Sequence, residues 1–200
     1  MIRSLSFPDV SDLTWWFAPH PAWEPGEDWD AEVPVVRYET DDEVALIDPF
    51  LPPDDGFDPH GKAVRVLLTQ PSHYRGTSDF VERYRASVWV PPRAEWRRRP
   101  NPATTDALPP GVTAIELEGE PHQVVFYIPE HAVLVTGDVL SGTGGRLHVF
   151  VDEADRDPLL ASLDALGGLP IERVIIPHGD PIPENGAARI REAVAEARHS

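Results

Sequence analysis

Short apolar runs, separated by prolines and other turn-forming residues, set the pattern of this 200-residue chain. Runs of strand length that are continuously apolar, or that alternate with polar residues, predict β-strands. The predicted strands cover residues 13–18, 33–38, 43–47, 64–68, 87–90, 112–117, 123–128, 132–136 and 173–176. Helical spacing of apolar residues predicts helices over residues 77–85, 158–166 and 183–198. The chain therefore combines many short strands with few helices.

The predicted strands fall into two clusters, and helices follow each cluster. Strand 64–68, helix 77–85 and strand 87–90 form a β-α-β unit, so part of the first sheet is parallel. Two mixed sheets with helices outside them predict an α+β sandwich, formed by a single domain that spans residues 1–200.

Segments rich in proline, aspartate and glycine predict the loops of this sandwich. They cover residues 50–62 and 100–110, and the glycine-rich residues 141–145 predict a flexible loop that could act as a mobile flap.

Composition narrows the class of protein. The absence of cysteine excludes disulfides, cysteine-zinc sites and thiol nucleophiles. A net charge of -17 argues against nucleic acid as a partner, because phosphates need a basic face. The one basic run, residues 93–99, predicts a solvated helix face, with contact to an anion or a partner as the alternative. No apolar run approaches the roughly 18 residues that span a bilayer, and no signal-peptide pattern is found, so we expect an acidic, cytoplasmic protein without membrane contacts.

Polar residues that could take part in catalysis or binding follow several predicted strands. Asp48 ends an apolar strand, and Thr69-Gln70-Pro71-Ser72-His73-Tyr74-Arg75-Gly76 connects a strand to a helix. Thr136-Gly137-Asp138 and Pro177-His178-Gly179 follow two later strands. Taken in this order, the four segments resemble the metallo-β-lactamase superfamily. The resemblance implies an αββα four-layer sandwich of two mixed sheets, with a zinc-dependent hydrolytic site at one end.

The strand-to-helix loop departs from the family pattern at its ligand positions. In the family this loop reads T-H-x-H-x-D-H and supplies most ligands of a two-zinc centre. The four matching residues in this chain are Gln70, Ser72, Tyr74 and Arg75. None of them is a good zinc ligand, since zinc takes histidine, cysteine or carboxylate. The chain therefore resembles a divergent member with a degenerate zinc site, in which Arg75 could pair with Asp138 and supply the missing positive charge.

Three residues match family positions without substitution. The resemblance makes Asp48 the floor of the site, Asp138 the zinc-bridging carboxylate and His178 the final zinc ligand. Each also has an ordinary interpretation, as a turn former, as an acceptor of backbone hydrogen bonds or as a hydrogen-bonded histidine. The matched order predicts that Asp48, Asp138 and His178 converge near residues 72–75.

The ligating histidine of another family motif is also absent from its matching position. Where the family shows G-H-T-P-G, this chain shows Gly119-Glu120-Pro121-His122, which puts Gly119 at the ligand position. His73 and His122 lie in former ligand loops at neighbouring positions. A one-residue shift on an extended loop turns a side chain the other way, so neither is a straightforward replacement.

Three hypotheses about function follow. The first is a pseudoenzyme that has lost the binuclear zinc and binds a small molecule or a protein, with no cofactor. The second is a hydrolase for an ester, thioester or lactone that retains one Zn²⁺ or other divalent metal through Asp138, His178 and either His73 or His122. The third is a metal-free enzyme that uses the remaining polar residues, Tyr74 among them, for acid–base chemistry. In it, Ser72 could form a relay with Asp138 and either His178 or His73. Substrate, partner and oligomeric state do not follow from the sequence.

Candidates for lining the cleft come from two regions. Gln70, Arg75 and His122 belong to the former ligand loops. Trp16 belongs to an aromatic cluster near the N-terminus, which is more typical of a core or an interface than of a ligand site.

Overall fold

A computed structural model describes residues 5–27, 29–52, 56–93, 107–143, 145–150 and 153–199. Most of the basic run at residues 93–99 and of the loop predicted at residues 100–110 lies outside these ranges. The chain divides into two compact units, residues 1–110 and 111–200.

The first unit contains a six-stranded mixed sheet. Its strands are β1 (Leu5–Ser6), β2 (Leu13–Pro19), β3 (Glu32–Glu39), β4 (Glu43–Ile47), β5 (Ala63–Leu67) and β6 (Ser87–Trp89), and they are ordered as they are numbered. Strands β1 to β4 pair antiparallel, whereas β4–β5 and β5–β6 pair parallel. Helix α1 (Thr77–Tyr84) connects β5 to β6, so the predicted β-α-β unit is confirmed.

Burial on both faces explains the apolar sequence of the central strands of this sheet. All five residues of β4 are buried, and a strand covered on both faces favours continuous apolar residues over alternation. Helix α1 covers one face through Phe80, whose ring lies edge-on to Phe57 at a centroid distance of 5.2 Å. The sheet therefore holds its inner strands rigidly, and the loops that carry polar residues leave from their ends.

The second unit contains a four-stranded sheet, a hairpin and two helices. The sheet strands are β7 (Thr113–Leu117), β8 (Glu120–Ile128), β9 (Val133–Val135) and β12 (Arg173–Ile175), in the order β12-β9-β8-β7. Strands β9 and β12 pair parallel, and the other pairs are antiparallel. The hairpin strands are β10 (Leu140–Thr143) and β11 (Arg146–Val149), and the helices are α2 (Arg156–Leu166) and α3 (Gly186–Ala197).

The helices α2 and α3 bury their apolar stripes in the core of the second unit. Leu159 and Leu163 of α2 and Ile190 of α3 are fully buried there together with Val174 of β12. The helical spacing of these leucines is the feature that predicted α2 from the sequence.

The prediction of a flexible loop over residues 141–145 is wrong. Residues 141–143 belong to strand β10 of the β10–β11 hairpin, in which Leu140 pairs with Val149 and Gly142 with Leu147. Glycines obscured the strand pattern, whereas burial of Leu140 and Leu147 in the core stabilises it. No helix among the described residues is long and apolar enough to cross a membrane.

Glu39 gives the first unit a pH-dependent ion-pair network at the end of β3. Its carboxylate lies 2.9 Å from Arg37 Nη2 and 3.0 Å from Lys62 Nζ. Burial raises the pKa of Glu39, but the hydrogen bond from Lys62 and the positive charges of Arg37 and Lys62 outweigh burial and hold the pKa below its ordinary value of 4.5.

We expect this network to stabilise the protein above the unfolded-state pKa of Glu39, and the contribution to be lost as the pH falls through the lower, folded-state pKa. Urea unfolding of the wild type and Glu39→Gln, measured from about pH 7 to about pH 3, checks this. The stability difference between the two proteins should shrink at the acidic end. A constant difference across this range would contradict the assignment.

Candidate functional site

A buried hydrogen-bond network joins the ends of two parallel strands in the first unit. Asp48 directly follows β4, and Thr69 lies two residues beyond β5, so the carboxyl ends of neighbouring parallel strands bring them together. Asp48 Oδ1 accepts the Thr69 N–H at 2.9 Å, and Asp48 Oδ2 accepts the Thr69 hydroxyl at 2.5 Å. Both residues are buried, so these bonds offset the cost of removing the carboxylate from water.

His73 completes this network. Its Nδ1 lies 2.8 Å from Asp48 Oδ2, and its Nε2 lies 2.8 Å from the amide nitrogen of Gln70. The Gln70 amide nitrogen can only donate, so Nε2 accepts and the proton of the neutral imidazole lies on Nδ1, where Asp48 accepts it. Only 5% of His73 is exposed to solvent, and both of its ring nitrogens are held inside the loop.

The backbone around this network adopts unusual conformations. Asp48 has φ 49°, and Arg75 has φ 38° with ψ −122°. The Arg75 guanidinium donates to the Asp48 carbonyl at 3.3 Å and stacks over the Phe50 ring at 5.4 Å. The Gly76 N–H donates to the Pro49 carbonyl at 2.9 Å. Strained backbone of this kind persists only where surrounding contacts determine it, and it is enriched at functional sites.

The residues of this loop that match the family's zinc positions make contacts that do not fit a zinc site. Gln70 contacts His73, Ser72 is exposed, the Tyr74 hydroxyl accepts from Ser78 at 3.1 Å, and Arg75 bonds to a carbonyl. His73 does not fit as the displaced ligand either, because Asp48 and Gln70 already engage both nitrogens that could bind zinc.

A second polar pair lies in the second unit. Asp138 and His178 follow the parallel neighbours β9 and β12, and Asp138 Oδ1 lies 3.6 Å from His178 Nε2. Both side chains are partly exposed. The structure thus brings Asp138 and His178 together, as the matched motifs predict. Convergence of this pair with Asp48 and with residues 72–75 stays a prediction.

Close backbone packing positions His178. The Gly142 N–H donates to the His178 carbonyl at 2.8 Å, which attaches the β10–β11 hairpin to the segment that carries this histidine. Gly179 has φ 117°, and a Cβ at this residue would lie 2.0 Å from the Gly142 carbonyl oxygen. Only glycine fits here, because any side chain would collide with the neighbouring backbone.

His122 lies away from the core on the first half of β8, where its side chain is exposed. The residue at the family's ligand position, Gly119, forms the β7–β8 turn with φ 87°. A Cβ at Gly119 would lie 2.5 Å from the Asp155 carbonyl oxygen and 2.8 Å from the Leu159 nitrogen. Packing of this turn against the start of α2 therefore leaves no room for a ligating side chain.

We expect Gly119→His not to create a zinc-binding site and to lower the free energy of unfolding by about 3 kcal/mol, because it combines a backbone clash with an unfavourable φ. Urea denaturation and zinc titration of the purified variant check this. The matched control is Gly145→His, since Gly145 also has positive φ but has nothing within 4 Å of an added Cβ. Equal losses of stability in both variants would contradict the packing argument.

Trp16, a sequence candidate for lining the cleft, packs in the apolar core of the first unit with Val35 and Phe80. It is 4% exposed, which does not favour a role in substrate binding. The partly exposed aromatic residues of this unit include His20, Trp29 and Phe50. Phe50 was missed because it lies in a segment that the sequence predicts only as a loop.

Among the described residues, no group of three or more histidine and acidic side chains is placed to hold a metal ion. The Asp48–His73 bond was also missed from the sequence. Its only sequence signal is the placement of both residues after neighbouring parallel strands, and this signal does not give the direction of either side chain.

Known structures share the fold of this chain. A metallo-β-lactamase from Pontibacter korlensis is 13% identical with a TM-score of 0.71, and the match covers 100% of both chains. A metallo-β-lactamase family protein from Thermus thermophilus is 20% identical with a TM-score of 0.65, over 94% of this chain and 80% of that one. The Flv1 flavodiiron core from Synechocystis sp. PCC6803 is 14% identical with a TM-score of 0.66, over 98% of this chain and 60% of that one.

No protein-family model matches the sequence, and no curated protein matches it either. The structural matches nevertheless confirm the resemblance at the level of fold. The chain has the metallo-β-lactamase fold, with α+β composition and two mixed sheets. Identities of this size show the fold alone, and the function has to be argued from the residues of the site.

Proposed function

We propose that this chain is a divergent metallo-β-lactamase-fold protein that lacks the binuclear zinc centre and acts as a binding protein for a small molecule or a protein partner. One observation carries the proposal: both imidazole nitrogens of His73 are engaged, by Asp48 at 2.8 Å and by Gln70 at 2.8 Å. The loop that carries metal ligands in the family is thus held together here by its own hydrogen bonds.

The internal bonds of the loop give it a metal-independent structure. Asp48 accepts from the Thr69 backbone, the Thr69 hydroxyl and His73, so its charge is balanced by donors instead of by a cation. A carboxylate satisfied in this way stays buried without a bound metal. The side chain of Gln70 covers His73 Nε2, which also disfavours His73 as a general base in the described arrangement.

We expect the full chain, purified without chelator, to contain much less than two equivalents of zinc and to unfold at the same urea concentration with and without a chelator. The physical reason is that the loop has no pair of zinc-binding side chains at its ligand positions. Elemental analysis by mass spectrometry and paired unfolding curves measure both quantities. Two tightly held equivalents, or a large chelator effect on stability, would refute the proposal.

A single-metal hydrolase is the alternative that one observation favours. Asp138 and His178 lie 3.6 Å apart and are partly exposed, so together they could supply two ligands. A catalytic zinc normally has three protein ligands and an open position for water. Among the described residues no third histidine or acidic side chain joins this pair, and both nitrogens of His73 are engaged, so a complete set requires a rearrangement that brings in His122.

The zinc content and the hydrolytic activity of two variants distinguish the binding protein from the single-metal hydrolase. If the single-metal alternative holds, the wild type contains about one equivalent of zinc and hydrolyses a test ester such as p-nitrophenyl acetate in a zinc-dependent way. Asp138→Asn and His178→Ala should then each lose both the zinc and the hydrolysis. In the proposed function, the zinc content of these two variants equals that of the wild type. A cytoplasmic location, and the absence of nucleic-acid and membrane partners, stay predictions from composition.

A further inference from the structure

A row of four side chains from three separate segments runs beside the former metal loop in the first unit. Trp29 and His20 lie edge-on at a centroid distance of 4.8 Å, and His20 lies edge-on to Phe50 at 5.5 Å. The Arg75 guanidinium stacks over the Phe50 ring at 5.4 Å. All four side chains are partly exposed. We call Trp29, His20, Phe50 and Arg75 the aromatic row.

Backbone and side-chain bonds hold the cationic end of the aromatic row. The segment that carries Phe50 is joined to the segment that carries Arg75 through the Gly76 N–H to the Pro49 carbonyl, at 2.9 Å, and through the Arg75 guanidinium to the Asp48 carbonyl, at 3.3 Å. A Cβ at Gly76 would lie 3.0 Å from the Pro49 oxygen, so the two segments are in close contact. The guanidinium is therefore preorganised against the ring.

Hydrogen bonds also hold the other end of the aromatic row. The His20 N–H donates to the Ala31 carbonyl at 2.9 Å, and the Trp23 indole donates to the Trp29 carbonyl at 2.9 Å. His20 Nδ1 accepts the Ala22 N–H at 3.3 Å, which fixes the orientation of the ring relative to its own turn. The loop between β2 and β3 thus presents its rings in a defined orientation.

The chemistry of the aromatic row indicates its ligand. Indole, imidazole and phenyl faces bind planar apolar groups, and a guanidinium binds a carboxylate through paired N–H donors. The Arg75 guanidinium is the cationic group of the row, and its positive charge complements an anion. We propose that the aromatic row binds a small planar aromatic carboxylate, with the ring against the aromatic side chains and the carboxylate against Arg75.

This inference rests on the proposed function, since it names the class of molecule that such a binding protein would take. Arg75 occupies a family ligand position, and in a zinc enzyme that position would hold a metal ligand instead of a cation. In the proposed site, Arg75 therefore binds the ligand's carboxylate at a position where a zinc enzyme has a metal ligand.

Isothermal titration calorimetry of the full chain with 2-naphthoate, and with its neutral analogue 2-naphthalenemethanol, tests the inference. We expect the neutral analogue to bind the wild type at least about tenfold more weakly, because it lacks the charged acceptor for Arg75. Arg75→Gln should weaken 2-naphthoate binding by a similar factor and leave the neutral analogue unchanged. Trp29→Ala should weaken both probes, because it removes stacking area.

Controls keep the outcome interpretable. Arg85→Gln removes an exposed arginine beyond the C-terminal end of α1 and should bind both probes as the wild type does. Circular dichroism identifies variants that do not fold, and Arg75→Lys, which keeps the charge, provides a milder change with an expected intermediate affinity. Equal affinity for the two probes, no effect of Arg75→Gln, or no binding of 2-naphthoate would overturn the inference. Zinc analysis of the same samples judges the proposed function separately.

Discussion

Asp48→Asn should lower the free energy of unfolding by about 3 kcal/mol, because a buried carboxylate that accepts several hydrogen bonds becomes a neutral amide and leaves a buried donor without a partner. The wild-type carboxylate accepts the Thr69 N–H, the Thr69 hydroxyl and His73 Nδ1, the last at 2.8 Å. An asparagine amide retains one acceptor oxygen but turns an NH₂ group toward donors, so at least one buried donor loses its partner.

Asparagine is the informative substitution at this position because it tolerates positive φ. Asp48 has φ 49°, and alanine would add backbone strain that is unrelated to the carboxylate. Urea unfolding followed by circular dichroism measures the change. Nuclear magnetic resonance of the His73 ring nitrogens gives an independent readout, since loss of the acceptor at Nδ1 should shift the tautomer that the wild type holds.

The matched control is an exposed histidine–aspartate pair in the same unit. His60 Nδ1 lies 3.3 Å from Asp58 Oδ2, and both side chains are more than half exposed. Asp58→Asn should cost less than about 1 kcal/mol, because exposed pairs contribute little. If Asp48→Asn changed stability by no more than Asp58→Asn does, the buried network would not be what holds the loop at residues 69–76.

Gly179→Ala should lower the free energy of unfolding by about 4 kcal/mol or more, among the largest effects of a single substitution. The new Cβ would lie 2.0 Å from the Gly142 carbonyl oxygen and 2.7 Å from its carbonyl carbon, and backbone atoms cannot move aside as a flexible side chain can. Alanine also disfavours the φ of 117° that Gly179 adopts. Relief of the clash requires separation of the hairpin from the His178 segment, which breaks the bond from Gly142 N–H to the His178 carbonyl.

Gly145→Ala, in the same hairpin, is the control that distinguishes backbone strain at positive φ from collision of the new Cβ with neighbouring atoms. Gly145 has φ 77° and nothing within 4 Å of an added Cβ, so alanine there should cost only about 1–2 kcal/mol. Thermal and urea unfolding of both variants gives the comparison. Similar losses in the two variants would show that the contact between Gly179 and Gly142 does not determine stability.

The two substitutions are also expected to affect different histidines, one in each unit. Gly179→Ala displaces the segment that carries His178, so it should weaken any ligand binding that depends on His178 and Asp138 together. Asp48→Asn lies in the first unit, and its expected effect concerns the loop that contains His73. Chemical modification of histidines, mapped by peptide mass spectrometry, should show greater reactivity at His178 in the first variant and at His73 in the second.

Local patterns were sufficient to predict most of the elements. Apolar runs predicted the strands from β2 to β9 and β12, with ends that differ from the structure by a few residues, as at β8, where pairing extends the strand back to Glu120. The β10–β11 hairpin was missed because glycines mask its pattern, and burial of Leu147 against residues distant in sequence stabilises it. Pairing and burial over long range are tertiary effects that no local pattern contains.

The sequence by itself determined the fold class and the presence of side chains that zinc does not favour at Gln70, Ser72, Tyr74 and Arg75, because residue order and side-chain chemistry are local properties. Only the tertiary structure decided which contacts the residues of this loop make. Parallel pairing of β4 with β5 brings Asp48 to His73, which the sequence could offer only as a displaced metal ligand. The packing of α2 excludes a side chain at Gly119, and Trp16 lies in the core instead of lining a cleft. Side-chain direction and available space depend on neighbours that are distant in sequence, and for that physical reason they appear only once the chain has folded.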